Sequence, residues 1–276
     1  MEQENLPKKT PARVHIILAR EADTAVVIRR GPSKKVCILG WNRKTDDFQV
    51  GQWMNGRIYE RRCDLSPDGK HFIYFVYTGK FTEGSHTAIS RAPFLKAIGL
   101  WGNGSAWNGG GVFINNRTYW MNDFLYGGKE FESPGNLKRS HEFPFEVNYG
   151  GECPGIYYPR LMRDGWEMIR ETRSKVIFEK SLPHGWILRK EAIEGFPRKD
   201  KDGEGCYRDE HWLINTQFDL EIDCRSWTWA DLDGLRLVWV EDGKLYAAAI
   251  HHKELGESKL LYDFNPLQYE KLKAPY

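Results

Sequence analysis

The pentapeptide Glu60-Arg61-Arg62-Cys63-Asp64 sets four charges into five residues. Two carboxylates bracketing an arginine can form a structural ion network or line a ligand site. On an extended strand alternate residues share a face. Glu60, Arg62 and Asp64 are therefore expected on one side, and Arg61 and Cys63 on the other.

A second cluster is basic. "RRGPSKK", residues 29–35, places Arg29, Arg30, Lys34 and Lys35 around a Gly-Pro turn. Four cations and a hydroxyl on a tight loop can hold a phosphate, a nucleic-acid backbone or an acidic peptide. Equally, they can be a solvated loop that keeps a sheet edge soluble. The spacing is not that of a phosphate-binding P-loop. A third stretch, "WGNGSAWNGGGVF" (101–113), packs glycines around Trp101 and Trp107. It reads as a binding loop with a stacking surface, or as a long connector. It does not lead from GxGxxG into a helix, so a dinucleotide site is not expected.

The remaining candidates are weaker. Asp209, Glu210 and His211 are consecutive, so on a strand they cannot all face one ion. Asp219, Glu221 and Asp223 alternate with Phe218, Leu220 and Ile222, which predicts a half-buried strand with an acidic outer face. His251-His252 reads as surface. Cys37, Cys63, Cys153, Cys206 and Cys224 form no CxxC pair and no zinc spacing. They are expected to be reduced, mostly buried thiols. No GxSxG elbow occurs. Neither a metal nor a cofactor is expected.

The elements that position these residues read as strands. "VHIIL" (14–18), "AVVIRR" (25–30), "KVCILGWN" (35–42), "FQVGQW" (48–53), "RIYERRC" (57–63) and "HFIYFVY" (71–77) are short and rich in β-branched or aromatic residues. Asn115-Asn116 is expected to turn the chain with positive φ. A unit of Asp-Gly or His-Gly followed by an apolar run recurs: "DGKHFIYF", "DGWEMIRE", "HGWILRKE", "DGLRLVWV", "DGKLYAAA". Glycine supplies the left-handed turn residue and the run buries a strand. No amphipathic helix of ten residues is expected.

"DLSPDGKHFIYF" (64–75) resembles the Ser-Pro-Asp-Gly hairpin of TolB-type and related WD40-like β-propeller repeats. "ADLDGLRLVWVEDGKLY" (230–246) resembles the same unit but has Asp231-Leu232 in place of Ser-Pro. The resemblance implies a small all-β propeller. At about 40–50 residues per blade, five blades fit best. A β-sandwich is the alternative fold. The chain is accordingly expected to have a flexible arm over 1–13 and a single all-β domain over 14–276. Five-bladed propellers include glycoside hydrolases that work through carboxylates at the channel mouth. By that analogy Glu60, Asp64, Asp231 and Asp233 are the acids to consider.

The 276 residues carry a net charge of +2, so no global field calls for nucleic acid. The charge is uneven. Residues 1–62 hold 13 Lys/Arg against 7 Asp/Glu, and residues 200–242 hold 4 against 12. No apolar run has the length of a membrane span or a signal peptide. A cytoplasmic protein without membrane contact is expected. The function expected is a non-catalytic binding module for a protein or anionic ligand. Its rim would carry Arg29, Arg30, Lys34, Lys35, Arg62, Trp101 and Trp107. The alternatives are a hydrolase of a glycan or phosphate ester, and a nucleic-acid or nucleotide binder working through residues 29–35.

Overall fold

A computed structural model of the chain describes residues 10–31, 34–77, 84–103, 106–123, 130–131, 135–150, 152–195 and 207–276. Residues 1–9 of the expected arm lie outside this set, as do Pro32, Ser33, Gly104, Ser105 and Cys206. Among the described residues the architecture is all-β, with five open sheets and one α-helix. The chain groups into two compact units. One comprises Val14–Arg30, Lys34–Glu167 and Gln268–Tyr276; the other is built chiefly on Met168–Leu267.

The first unit holds three sheets. β1 (Arg13–Leu18), β2 (Thr24–Arg30), β3 (Lys35–Asn42) and β4 (Asp47–Asn55) pair in sequence order. The second sheet runs β12-β9-β8-β7-β5, with β6 also on β7. Its strands are β5 (Arg57–Ile58), β6 (Asp64–Leu65), β7 (His71–Tyr77), β8 (Ser85–Arg91), β9 (Ala97–Asn103) and β12 (Glu130–Phe131). The third contains β10 (Gly111–Phe113), β11 (Thr118–Met121) and β13 (Lys138–Ser140), with β11 and β13 parallel. Phe72, Tyr74 and Val76 of β7 pack into one core with Ile17, Val26, Ile28 and Ile38 of the first sheet. Ile73 packs the other way, with Trp101, Phe113, Tyr119 and Met121. A strand buried on both faces needs a continuous apolar run rather than alternation, which is why β7 reads HFIYFVY. Each fully buried aromatic of this kind contributes roughly 1.5–3 kcal/mol.

The second unit holds two meanders. One is β14 (Glu167–Glu171), β15 (Lys175–Ser181), β16 (Trp186–Glu194), β17 (Tyr207–Asn215) and β18 (Leu220–Asp223). The other is β19 (Trp227–Asp233), β20 (Arg236–Glu241), β21 (Lys244–Ala249) and β22 (Lys259–Asp263). The Asp233-Gly234 and Asp242-Gly243 turns join β19 to β20 and β20 to β21, with positive φ at Gly234, Asp242 and Gly243.

The Ser-Pro-Asp-Gly hairpin is built by its first residue. Ser66 Oγ donates to Asp68 Oδ1 at 2.6 Å and accepts from the backbone of Lys70 and His71 at 3.1 and 2.9 Å. Gly69 takes φ +72°, and a Cβ there would lie 2.0 Å from Thr24 Oγ1.

Four local expectations are corrected. Pro154–Arg163 is an α-helix, α1, although Pro159 lies inside it. Pro154 sits at its start, where a missing N–H costs nothing. The strand expected over 57–63 stops at Ile58, and Glu60–Arg62 closes a 3-10 turn. The Asn115-Asn116 turn uses no left-handed residue: Asn115 Oδ1 accepts from the backbone of Arg117 and Thr118, at 2.9 Å each. β18 is an edge strand on which Leu220 is half-buried but Ile222, like the preceding Phe218, is exposed, so the expected apolar face is only partly covered.

Candidate functional site

The charged pentapeptide does not alternate. The backbone of Arg62 donates to Tyr59 O at 2.8 Å and closes the 3-10 turn, which sends the three side chains to three places. Glu60 pairs with Arg30 at 2.7 Å. Arg62, 2% exposed, donates from Nη1 to the carbonyls of Ala106 and Asn108 at 2.5 and 3.3 Å, and from Nε to Cys153 Sγ at 3.4 Å. Its guanidinium lies over Phe75 at 4.7 Å, with Glu152 3.7 Å away. Asp64, wholly buried, accepts from Arg163 and from the backbone of Phe113 at 2.7 Å. The buried charges of Arg62 and Asp64 are thus matched, as burial demands.

Sequence reasoning missed the other half of this network because it lies on α1. Arg163 and Arg160 project from the last turns of that helix. Arg160 donates to Cys63 O and faces His15 Nε2 at 3.1 Å. Arg163 also bonds Asp164 at 2.8 Å. Burial alone would lower the Arg163 guanidinium; Asp64 and Asp164 outweigh it and hold it above its ordinary value. Burial pushes the Asp164 carboxyl up against the opposing pull of Arg163. The spacing of Arg160 and Arg163 is helical, but Pro159 hides the helix.

Arg62 brings together two features that looked separate. Through Ala106 and Asn108 it anchors the glycine-rich loop. Gly110 closes that loop against it: a Cβ on Gly110 would lie 2.1 Å from Arg62 O. The two tryptophans part company here. Trp101 is core, 5.7 Å from Tyr119, while Trp107 is 68% exposed.

The four cations of residues 29–35 also separate. Arg29, on β2, is buried 5.4 Å from the Trp53 ring, and burial lowers its guanidinium. The neighbouring Cys37 thiol is pushed up to about 12 by the same burial. Arg30 belongs to Glu60. Lys34 and Lys35 remain exposed, and Lys35 Nζ lies 5.0 Å over the Tyr269 ring.

That last contact belongs to a strip that sequence reasoning did not foresee. Residues 268–276 run without regular secondary structure along the first unit. Leu272, Ala274 and Tyr276 are half-buried while Lys271, Lys273 and Pro275 are exposed, the alternation of an extended peptide with one face down. Gln52 on β4 reads the segment. Its Oε1 accepts from the backbone of Leu95 and Lys96 at 2.8 and 2.9 Å, and its Nε2 donates to Leu272 O at 3.0 Å. Trp53 meets Tyr269 at 6.0 Å between ring centroids. The Tyr276 hydroxyl donates to Lys96 O at 2.7 Å and accepts from the backbone of Arg91 at 3.0 Å. Arg91 and Lys96 lie 4.9 and 5.2 Å from its ring, and Phe94 packs edge-on at 6.3 Å. Burial pushes the Tyr276 phenol up, with Arg91 opposing.

In the second unit, Asp231 is bound by Lys180 at 2.5 Å and Asp233 by Arg236 at 2.8 Å. His211 is buried, with Nδ1 3.1 Å from Trp227 O, and burial drives its imidazole down to about 4. Among the described residues no three His, Cys, Asp or Glu side chains converge to hold a metal ion.

No protein-family model matches the sequence, and no curated protein matches it. Among solved structures, an uncharacterized protein of Listeria monocytogenes EGD-e is similar at 11% identity and a TM-score of 0.24, over 94% of this chain and 69% of that one. A structure from a study of two prolyl endopeptidases is similar at 8% identity and a TM-score of 0.22, over 90% of this chain and 42% of that one. At such scores neither likeness bears on fold or activity.

Proposed function

We propose that this chain is a non-catalytic binding module whose rim, formed by β4 and the β8–β9 turn, takes an extended peptide segment with aromatic side chains. The single observation that carries the reading is the seating of residues 268–276. Gln52 donates to a backbone carbonyl of the segment, and cations with neighbouring rings hold its tyrosines. Main-chain bonds for affinity with side-chain pockets for selectivity is how extended peptides are recognised generally. The exposed Lys34 and Lys35 favour acidic neighbours in such a peptide.

A five-bladed propeller is the fold we propose, on the strength of the Ser-Pro-Asp-Gly hairpin that joins β6 to β7. Reduced Cys37, Cys63, Cys153 and Cys224 support a cytoplasmic setting. The hydrolase reading has less support, because Glu60, Asp64, Asp231 and Asp233 each face a cation. The nucleic-acid reading is weakened by the burial of Arg29 and the pairing of Arg30.

The test is a chain ending at Leu267, checked for an intact thermal transition, titrated with a labelled peptide of the sequence of residues 268–276. Saturable binding that weakens with Gln52→Ala supports the proposal. A folded chain that does not bind the peptide overturns it.

A further inference from the structure

Two histidines from separate turns meet on the surface of the second unit. His184 lies in the 3-10 turn Pro183–Gly185 between β15 and β16, and His252 follows β21. Both are exposed, and their ring centroids are 4.2 Å apart at an interplanar angle of 42°. Within the described structure neither ring is engaged in a hydrogen bond or ion pair.

The backbone beneath the pair is fixed from below. Asn215, wholly buried on β17, donates from one Nδ2 to both His184 O and His252 O, at 3.2 Å each. Trp186, also buried, donates Nε1–H to His251 O at 2.8 Å. One amide thereby ties the two turns together and sets the two imidazoles side by side. His184 does this with φ at +59°, a left-handed conformation uncommon for a residue with a Cβ.

We propose that His184 and His252 form a surface site for a divalent first-row transition metal ion that favours imidazole, namely zinc, nickel or copper. Imidazole nitrogen binds such ions at about 2.0–2.1 Å, so two donors at a tetrahedral angle stand about 3.3 Å apart. The ring centroids are 4.2 Å apart, so modest opening of the two side chains would turn a nitrogen of each toward one ion. With two protein donors, water completes the shell. Asn215 is a positioning residue, since it holds both main chains.

The full chain, free of any affinity tag, is titrated with Zn2+ by calorimetry, and one equivalent of Cu2+ is followed by electron paramagnetic resonance. The expected result is one saturable Zn2+ site and a Cu2+ signal coupled to two nitrogens. His184→Asn and His252→Asn should each weaken binding at least tenfold or so, since loss of a mere supporting contact already costs about 10–100-fold. His141→Asn, at an exposed histidine elsewhere, should leave binding unchanged. No saturable binding, or binding that survives either His184→Asn or His252→Asn, overturns the proposal.

Discussion

Arg163 grips Asp64 with two parallel contacts: Nη1 lies 2.6 Å from Oδ2, and Nη2 lies 2.8 Å from Oδ1. The carboxylate has no solvent exposure, and the backbone N–H of Phe113 supplies its third donor. One fully buried charge thus ties β6, α1 and β10 together. The pentapeptide that looks most like a site in the sequence contributes its deepest residue to architecture.

Asp64→Asn keeps the shape of the side chain but removes the wholly buried one of the two carboxylates that Arg163 binds, leaving Asp164 alone. Removing one partner of a buried pair costs about 3–5 kcal/mol. Glu60→Gln, at the half-exposed pair with Arg30, should cost about 1 kcal/mol or less. Urea unfolding of both variants measures the difference. Equal midpoints would show that Asp64 is not a structural anchor.

The fold class is legible in the sequence because turns announce themselves locally. Asp233-Gly234 and Asp242-Gly243 bracket strands whose ends follow directly from the glycine positions. Ser66 is legible for the same reason, as its partners lie within five residues. The site is not legible, because its contacts are long-range. Asp64 meets Arg163 across 99 positions, and Gln52 meets Leu272 across 220. The strand alternation imposed on Glu60–Asp64 fails where a 3-10 turn replaces it, and charge density alone gives no warning of that. Gln52 and Tyr276 carry no motif at all; only the folded chain shows that one reads the other's segment.

His211 predicts a pH dependence. Its imidazole is buried neutral and titrates near 4 instead of the ordinary 6.5. Below pH 6.5 the unfolded chain takes up a proton that the folded chain refuses. Stability from this group is therefore complete above about pH 6.5 and falls as pH drops towards 4, by roughly 1.4 kcal/mol per unit and about 3 kcal/mol in all. Burial lowers His71 and His86 as well, so the wild-type slope carries their contributions in the same direction. The difference between wild type and His211→Gln isolates the single residue. Urea midpoints at pH 7.5 and 5.0 should diverge more in the wild type than in the variant. An unchanged slope in His211→Gln would remove His211 as the source.

Gln52 separates support of the β8–β9 turn from retention of the C-terminal segment, because its two amide atoms do different things. Oε1 accepts from Leu95 and Lys96, whereas Nε2 donates to Leu272 O. Gln52→Glu keeps both acceptor contacts and turns the donor into a second carboxylate oxygen facing a carbonyl. It should release residues 268–276 while changing global stability by about 1 kcal/mol or less, the worth of one ordinary hydrogen bond. Gln52→Ala removes all three contacts and leaves the Leu95 and Lys96 amides short of an acceptor, so it should loosen the turn as well. Amide hydrogen exchange reads the two regions separately. Faster exchange over 268–276 in both variants, with faster exchange at 95–96 in Gln52→Ala alone, is the expected pattern. Unchanged protection of the segment in Gln52→Glu would mean that its rings, held by Lys35, Arg91 and Lys96, suffice to keep it seated, and that the carbonyl contact is dispensable.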